Sequence, residues 1–462
     1  MTASEVLAQG FGSQVDAPSI TQNLLYIVSS TAVVLALLGL LLIDTGLVRK
    51  ENVLSTAIQK MVGFAVGTLA FMIAGFGLWN YQYYQALDVP HSFTQSMKDW
   101  WLAGGFMTNY AQQIDPAVSP GAGNSQIFFV FLAVYGGFVC AIVHTAASER
   151  LRSGPFYIMS AAIGGIVYPI LLWLTWGSAS PLTNHGTHDF VGAYTSYIFA
   201  GVFGLILTVR LKPRRGLFPA PGEDATWAPN SVLIAAFGVV VLMFAAPLIV
   251  VGCGFLVPDD GYYGISMTTS GLGLVYTNVF VALAVGGVVG AVLAYATRNP
   301  VHALLGPISG YVICTTGFDV LKPWEVLLLA IVGPLVVAMI YNWVNARGID
   351  DAKVFPLACA TAVGALAVGV IAWGTPTGGY FGLTGEYGFQ HASINLWWQL
   401  AGLVTTVVIS AAAALILVVG LGSLITLRVS AHDEDVGLDA TRWAPKAADI
   451  PLDPVLDAAP AS

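Results

Sequence analysis

DFVGAYTSYIFAGVFGLIL, from Asp189 to Leu207, opens with a carboxylate and continues through small residues and two tyrosines into an unbroken apolar segment. Roughly twenty apolar residues are enough for a helix to cross the hydrocarbon core of a bilayer, so this stretch predicts a membrane span. Placing an acid at the edge of a span costs free energy, so such residues usually have a function. Asp189 is therefore a candidate functional residue. A helix cap made by the same carboxylate is an equally good and compatible interpretation.

The composition of the whole chain is typical of a polytopic membrane protein. Of its 462 residues, 56% are hydrophobic and 9% are charged, whereas soluble domains carry about 25% charged residues. The acids that give the formal net charge of −8 lie mainly in loops and in the tail, and no basic surface for nucleic acid is predicted. The four cysteines fall inside apolar segments without the spacing of a metal site. The polar first twenty residues give no expectation of a cleavable signal peptide.

Hydropathy predicts eleven membrane spans. They cover about 22–44, 57–79, 126–147, 155–176, 191–210, 229–256, 270–296, 301–319, 324–346, 354–374 and 397–427. Basic residues lie beside the odd-to-even connections or after the last span, whereas only Lys98 and Lys322 fall on the opposite side. The basic set is Arg49, Lys50, Arg150, Arg152, Arg210, Lys212, Arg214, Arg215, Arg298, Arg347, Lys353 and Arg428. The positive-inside bias therefore places the N-terminus outside the cell membrane and the C-terminus in the cytoplasm.

These spans divide the chain into three parts. We expect an extracellular segment over 1–21, a transmembrane domain over 22–428 and a cytoplasmic tail over 429–462. Within the transmembrane domain, a second segment resembles the first: from Asp351 the chain reads DAKVFPLACATAVGALAVGVIAW. These two segments are the fifth and tenth spans and run in opposite directions, which indicates an inverted five-plus-five repeat followed by a final helix. Chance similarity between two Gly/Ala-rich helices is the alternative.

Five motifs, in order, resemble the ammonium transporter family (the Amt, Mep and Rh proteins) over nearly the whole chain. DTGLVRKENVLSTAIQ at Asp44–Gln59 is similar to the family's GLVRxKNVLS turn, and ASERLR at Ala147–Arg152 is similar to its AERxR run. WGSASPLTNHGTHDFVGA at Trp176–Ala193 resembles WG…HG…DFAGG, and GPISGYVICTTGF at Gly306–Phe318 resembles GAISGLVAITPAAG. In the tail, DEDVGLDATRW at Asp433–Trp443 resembles EExGLDxxxHGE.

The resemblance implies a homotrimer in the lipid bilayer, in which each subunit has its own narrow pore. It also implies an outer site that recruits ammonium over aromatic rings beside an acid, an arrangement that suits a small cation. Trp176 matches the vestibule tryptophan of the family, and Asp189 matches its acid. Phe131 and Tyr135 match the outer phenylalanine pair, from which Tyr135 departs by one hydroxyl.

The sequence departs from the family at the two facing histidines of the pore. Their positions hold Tyr197 and Ala358. An imidazole pair can accept and relay a proton as ammonium sheds it, whereas tyrosine titrates near pH 10 and alanine does not titrate. His144 in the third span is a candidate substitute, with a hydrogen bond into a helix interface as the alternative. Tyr194 lies three residues before Tyr197 and is expected to reach the same lumen.

We therefore predict an all-α membrane protein that transports ammonium or ammonia through a pore in each subunit, without a cofactor or metal. The alternatives are a channel for another small neutral solute and a non-conducting ammonium sensor or regulatory protein. A continuous lumen past Tyr197 would favour transport, and a packed plug would favour the sensor. The sequence contains no nucleophile–base pair or phosphate loop, so an enzyme is not expected.

The acidic run at the start of the tail, Asp433–Asp435, suggests a contact surface on the cytoplasmic side. It is predicted to dock on the basic inner loops near Arg214 and Arg215. A solvated charge run is the alternative. A cytoplasmic nitrogen-signalling protein is a candidate partner for this surface.

Overall fold

The computed structural model describes residues 17–100, 122–219, 222, 224–257, 262–265, 268–350, 353–379 and 383–443. Within these ranges, ten helices are long and apolar enough to cross a membrane, and a shorter helix occupies the eighth position. In chain order the helices are α1 Ala17–Leu47, α2 Lys50–Ala86, α3 Ala122–Ala147, α4 Ser153–Trp176, α5 Tyr194–Leu211, α6 Val232–Val250, α7 Leu272–Thr297, α8 Val301–Val312, α9 Pro323–Asn345, α10 Val354–Ile371 and α11 Leu396–Leu424. The predicted helical membrane fold is confirmed. The acid of the second repeat, Asp351, lies outside the described residues.

Smaller elements occupy the connections and the tail. Short helices cover Ser92–Trp100, Ala431–Val436 and Leu438–Trp443, and single 3-10 turns cover Thr183–His185 and Gly385–Tyr387. Two small antiparallel sheets have the strand orders β1-β2-β3 and β4-β5. The strands are β1 Phe255–Val257, β2 Tyr262–Ile265, β3 Thr268–Thr269, β4 Pro376–Thr377 and β5 Ala392–Ser393.

Helix contacts repeat between the first five helices and the next five. In the first half α1 packs on α3, α2 packs on α3 and α4, and α3 packs on α5. In the second half α6 packs on α8, α7 packs on α8 and α9, and α8 packs on α10. The halves meet where α1 packs on α6 and where α5 packs on α10, and α11 lies against α5 and α10. This correspondence supports the five-plus-five repeat.

Two boundaries near the repeat interface differ from the predicted ones. The predicted span 301–319 is helical only to Val312; beyond it the backbone N–H groups of Cys314, Thr315 and Gly317 donate to carbonyls three residues earlier instead of four. The Thr315 carbonyl accepts the backbone N–H of Val191 at 3.2 Å. Gly192, with φ of +76°, turns the chain in a conformation that glycine adopts without strain, and α5 begins at Tyr194. The non-helical backbone after α8 therefore pairs with the non-helical backbone before α5.

Charged side chains tie the helices together at one end of the bundle, which we call the basic end. Arg214 follows α5 and binds Glu149, after α3, at 2.9 Å and Asp350, after α9, at 2.8 Å. Arg150 also binds Asp350 at 3.1 Å, and Arg49, after α1, lies 3.6 Å from Glu149. These connections all follow odd-numbered helices, as the distribution of basic residues predicts.

The acidic tail docks on the basic end. Glu434 is 2% exposed; it accepts the backbone N–H of Arg215 at 2.9 Å and the guanidinium of Arg428 at 2.7 Å. Asp435 pairs with the Arg215 side chain at 2.6 Å. The carboxylate of Asp439 accepts the backbone N–H groups of Ser55 at 2.7 Å and Leu54 at 2.9 Å, near the start of α2. The predicted contact between the tail and Arg215 is confirmed.

Candidate pore

A narrow cavity lies between α3, α4 and the non-helical segment before α5. Phe131, Tyr135 and Trp176 all line it, together with Cys253 from the end of α6. Three of the four residues predicted to form the outer site are therefore brought together. Their rings present π-faces that attract small cations. We call this space the outer cavity.

Hydrogen bonds fix the rings of the outer cavity. The indole N–H of Trp176 donates to the Phe190 carbonyl at 3.3 Å. The hydroxyl of Tyr135 donates to the Val191 carbonyl at 2.7 Å. The one hydroxyl by which Tyr135 departs from the family's phenylalanine thus fastens α3 to the segment before α5.

Asp189, the fourth predicted outer-site residue, caps α5. It is fully buried, and its two carboxylate oxygens accept the backbone N–H groups of Ala193 at 2.7 Å and Tyr194 at 3.1 Å. The first N–H groups of a helix need such acceptors. The cap interpretation of Asp189 is therefore confirmed. Asp189 is not among the residues that line the outer cavity.

A buried polar network surrounds this cap. The imidazole of His188 lies 2.9 Å from the Asp319 carboxylate, and its backbone N–H donates to the Gln399 side chain at 3.1 Å. The hydroxyl of Tyr194 lies 3.0 Å from both the backbone and the side-chain oxygen of Gln399. Tyr194 therefore points towards α11 and does not line the outer cavity. A wide, π-type turn at Tyr194–Ile198 separates its direction from that of Tyr197.

A second cavity of about 100 Å³ lies between Tyr197 and the basic end. We call it the inner cavity. Side chains from α1, α3, α6, α8 and α10 form its wall, which is the interface between the two repeats. The wall is apolar except for Thr145, Tyr197, Tyr311 and Lys353. Pathways at a repeat interface are typical of transporters built from inverted repeats.

Three tyrosines separate the two cavities. The hydroxyl of Tyr197 lies close to those of Tyr135, which lines the outer cavity, and Tyr311, which lines the inner one. We call these residues the tyrosine constriction. Sequence reasoning missed Tyr311, although the signal was present: GPISGYVICTTGF has tyrosine where the family string GAISGLVAITPAAG has leucine.

The remaining predicted pore residues lie outside both cavities. Ala358 packs closely on α5: a Cβ atom added to Gly201 would lie 2.1 Å from the Cβ atom of Ala358. His144 is fully buried with its ring centroid 4.8 Å from that of Phe156 in α4. Neither ring nitrogen of His144 has a hydrogen-bond partner in the described part of the chain. The position of His144 on α3 turns its ring towards α4, whereas the next residue, Thr145, faces the inner cavity.

A charged cluster at the basic end of the inner cavity was also missed. Lys60 of α2 pairs with Asp44 of α1 at 2.8 Å, and both side chains have no exposed surface. Lys353 binds the other oxygen of Asp44 at 3.1 Å. Lys60 lies inside the predicted span 57–79, and a charge within a span is a functional signal by default. In the described residues, no group of three or more His, Cys, Asp or Glu side chains could hold a metal ion.

Comparison with known proteins agrees with this geometry. The chain is 26% identical over 419 residues to the ammonium transporter Amt1 of Haloferax mediterranei, which covers 87% of this chain and 74% of that protein. It is 24% identical over 409 residues to Amt1 of Methanocaldococcus jannaschii, covering 87% and 90%. Among solved structures, the Sensor Amt Protein matches with a TM-score of 0.72 and 22% identity, covering 92% of this chain and 99% of that one. Mep2 of Saccharomyces cerevisiae matches with a TM-score of 0.69 and 18% identity, covering 91% and 89%.

The family profile extends over almost all of the described chain. The sequence profile of the Ammonium Transporter Family matches residues 24–448, which includes every motif from the first span to the docked tail. The resemblance inferred from five motifs is therefore confirmed, and the protein belongs to the Ammonium Transporter Family.

Proposed function

We propose that the protein transports ammonium across a membrane, and that the species crossing the tyrosine constriction is uncharged ammonia. The observation that carries the proposal is the placement of two cavities along α3 and the start of α5, with Tyr135 in the wall of the outer cavity and Tyr197 in the wall of the inner one. The family match supports the solute. The clustering of basic residues at one end supports the orientation with the N-terminus outside and the C-terminus in the cytoplasm.

The chemistry of the two cavities favours a neutral species in the deeper one. The rings of Phe131, Tyr135 and Trp176 attract ammonium in the outer cavity. The inner cavity offers a bare cation an apolar wall, where loss of hydration is costly. Among its described lining residues there is no imidazole or carboxylate to take part in a proton relay near neutral pH. Ammonium therefore gives its proton to water on the side of the outer cavity, and ammonia continues into the inner cavity.

The test measures ammonia entry and current on the same reconstituted protein. An ammonium jump should alkalinise the lumen of proteoliposomes faster than that of protein-free liposomes, while a solid-supported membrane records little or no steady current. Tyr197→Ala removes the constriction and should speed alkalinisation. Tyr295→Ala is the matched control, because Tyr295 is 87% exposed on α7, and it should leave the rate unchanged. A sustained ammonium current in the wild type would contradict neutral passage.

A non-conducting sensor is the second candidate, because the structure has two separate cavities where an open pore has one continuous lumen. Tyr135, Tyr197 and Tyr311 lie between the two cavities in this conformation. Transport requires the Tyr197 ring to rotate, whereas a sensor does not. The sensor is supported if liposomes containing the wild-type protein alkalinise no faster than protein-free liposomes while ammonium raises the melting temperature of the purified protein.

We further propose that the protein is a homotrimer and that the docked tail offers a surface to a cytoplasmic nitrogen-signalling protein. The family resemblance supports the trimer, and the exposed pair Arg215–Asp435 leaves charged groups of the tail accessible. The mass of the detergent-solubilised protein, measured by light scattering with the detergent subtracted, should equal three chains. A monomeric mass would contradict the assembly.

A further inference from the structure

The buried carboxylate of Asp44 lies where α1, α2 and α3 meet the basic end of the inner cavity. Its Oδ2 atom is 2.8 Å from the Lys60 ammonium, and its Oδ1 atom is 3.1 Å from the Lys353 ammonium. Thr145 and Lys353 line the inner cavity itself. The Asp44 and Lys60 side chains have no exposed surface, whereas Lys353 is 16% exposed. The cluster thus adjoins the space through which a solute would leave towards the basic end.

The ammonium group of Lys60 is held on three sides. It lies 2.8 Å from Asp44 Oδ2, 2.8 Å from the Thr145 hydroxyl and 2.6 Å from the Ala141 carbonyl. A lysine ammonium has three N–H donors, so each donor has its own oxygen. The Thr145 hydroxyl, which accepts from Lys60, donates in turn to Asp44 at 2.9 Å. The set of oxygens consists of one carboxylate, one hydroxyl and one carbonyl.

We propose that these three oxygens form a binding site for an ammonium ion, which Lys60 occupies with its own tethered ammonium group. A free ammonium ion carries the same charge as the Lys60 ammonium group and has four N–H donors. Three of them would meet these oxygens, and the fourth would point into the space that the Lys60 side chain leaves. The wild-type site is closed to free cations because Lys60 fills it. The inference concerns binding at Asp44 and stands independently of which species crosses the tyrosine constriction.

The competing interpretation is that the pair only holds α1, α2 and α3 together. Both interpretations expect damage when Lys60 is truncated, because removing one partner leaves a buried charge less well compensated. They differ in the expected response to added ammonium. If the oxygens form an ammonium site, a free ammonium ion restores the missing contacts and the missing charge in a Lys60→Ala protein. If the pair is only a tie between helices, no added cation replaces the lost side chain.

The test is chemical rescue of the full-length protein, followed by thermal unfolding in detergent. Lys60→Ala should melt at a lower temperature than the wild type. Ammonium chloride should raise its melting temperature saturably, because a ligand of the folded state alone stabilises that state by mass action. Tetramethylammonium chloride at the same ionic strength should not, since it has no N–H to donate. The quantity compared is the ammonium shift of the variant minus that of the wild type, which removes binding in the outer cavity.

Three further variants separate the outcomes. Lys322→Ala removes a lysine that is 72% exposed, and it should respond to ammonium as the wild type does. Lys60→Met fills the space without a charge and should melt early without rescue. Lys60→Ala combined with Asp44→Asn should lose the rescue. A rescue that survives Asp44→Asn, or an ammonium shift in Lys60→Ala no larger than that of the wild type, would overturn the proposal.

The proposed ammonium site can be tested even if Lys60→Ala folds poorly. If folded protein is obtained only when ammonium is present during purification, that requirement is the rescue itself. If no folded protein is obtained with or without ammonium, the site does not accept the free ion and the proposal is overturned. Transport by the wild type plays no part in these measurements, so their failure leaves the proposed function standing.

Discussion

At the start of α5, Asp189 serves as a buried cap rather than as a wall residue of the outer cavity. Asp189→Ala leaves the backbone N–H groups of Ala193 and Tyr194 without their acceptor. Loss of a cap costs about 0.5–2 kcal/mol of stability, so we expect Asp189→Ala to lower the melting temperature and Asp189→Asn to lower it less. Ser231→Ala, which removes the cap of α6 at a partly buried position, is the control and should have a smaller effect. A variant that melts and transports like the wild type would show that this cap is dispensable.

For His144, whose ring nitrogens have no hydrogen-bond partner among the described residues, we expect that replacement does not lower stability. A buried polar group without a partner costs about 1–3 kcal/mol, so His144→Leu should melt at or above the wild-type temperature and leave ammonia entry unchanged. His188→Leu is the contrast: it removes the partner of the Asp319 carboxylate and should melt clearly lower. The relay hypothesis predicts a different result. A sustained ammonium current in the wild type that His144→Ala abolished would assign proton transfer to His144.

Some residues of the candidate pore could be predicted from the sequence, and others could not. Motif positions predicted the rings of the outer cavity, because the resemblance aligns side chains that project from regular helices. They did not predict that Ala358 would pack on Gly201, since that contact depends on how closely α5 and α10 approach. Tyr311 and Lys60 were both visible in the sequence, one as a departure from a motif and one as a charge within a span.

In the docked tail, two neighbouring acidic residues are expected to differ in how much they contribute to stability. Glu434 is almost fully buried between Arg428 and the Arg215 backbone, whereas the nearby Arg215–Asp435 pair is 53% exposed on both sides. Exposed pairs contribute about 0–1 kcal/mol, so Asp435→Asn should leave the melting temperature nearly unchanged. Glu434→Gln should lower it measurably, since a guanidinium loses its buried partner. Equal effects of the two variants would contradict the docked position of Glu434.

Removal of the whole tail tests its link to transport. Deletion after Ser430 removes the Asp439 carboxylate that accepts the backbone N–H groups of Leu54 and Ser55 near the start of α2. We expect the truncated protein to transport at an altered rate or to lose binding of the proposed cytoplasmic partner. Unchanged transport together with unchanged binding of that partner would show that the docked tail contributes to neither.

The helices themselves were largely predictable, because a long apolar run in lipid must satisfy its backbone as a helix. The exceptions are α8 and the start of α5. There the backbone pairs across the repeat interface, between Thr315 and Val191, instead of within one helix. A contact between residues so distant in the chain leaves no mark on local hydropathy.

Taken as a whole, the molecule should lose stability in acid through the carboxylates of its basic end. Burial is the largest single influence on Glu149 and favours its protonated form, but the Arg214 charge and the hydrogen bonds from Arg49, Asn52 and Arg214 together outweigh burial and lower the pKa of Glu149 below its ordinary value. Burial is likewise outweighed at Asp350, where Arg214 and Arg150 lower the pKa. A carboxylate with a depressed pKa stabilises the folded state above its unfolded pKa of about 4. That contribution is lost as the pH falls from there through the folded pKa.

A melting-temperature series from pH 7 to pH 3 measures this loss. The wild type should be nearly constant at the upper end and fall below about pH 4. Glu149→Gln should melt lower at pH 7 and show a shallower fall, because one of the titrating groups is gone. Asp435→Asn, at the exposed pair, should follow the wild-type curve. A Glu149→Gln curve parallel to the wild type would assign the acid sensitivity to other groups.

The ties among Arg49, Glu149, Arg150, Arg214 and Asp350 also limit how the molecule can move. Helices whose ends share these charges cannot tilt separately without breaking several charge-assisted hydrogen bonds at once. Rotation of one aromatic ring at Tyr197 breaks none of them. We therefore expect the helices to stay fixed relative to one another while the Tyr197 ring rotates. The protein's transport rate should fall less steeply on cooling than that of a carrier whose halves must rock past each other, because fewer interactions break in each cycle.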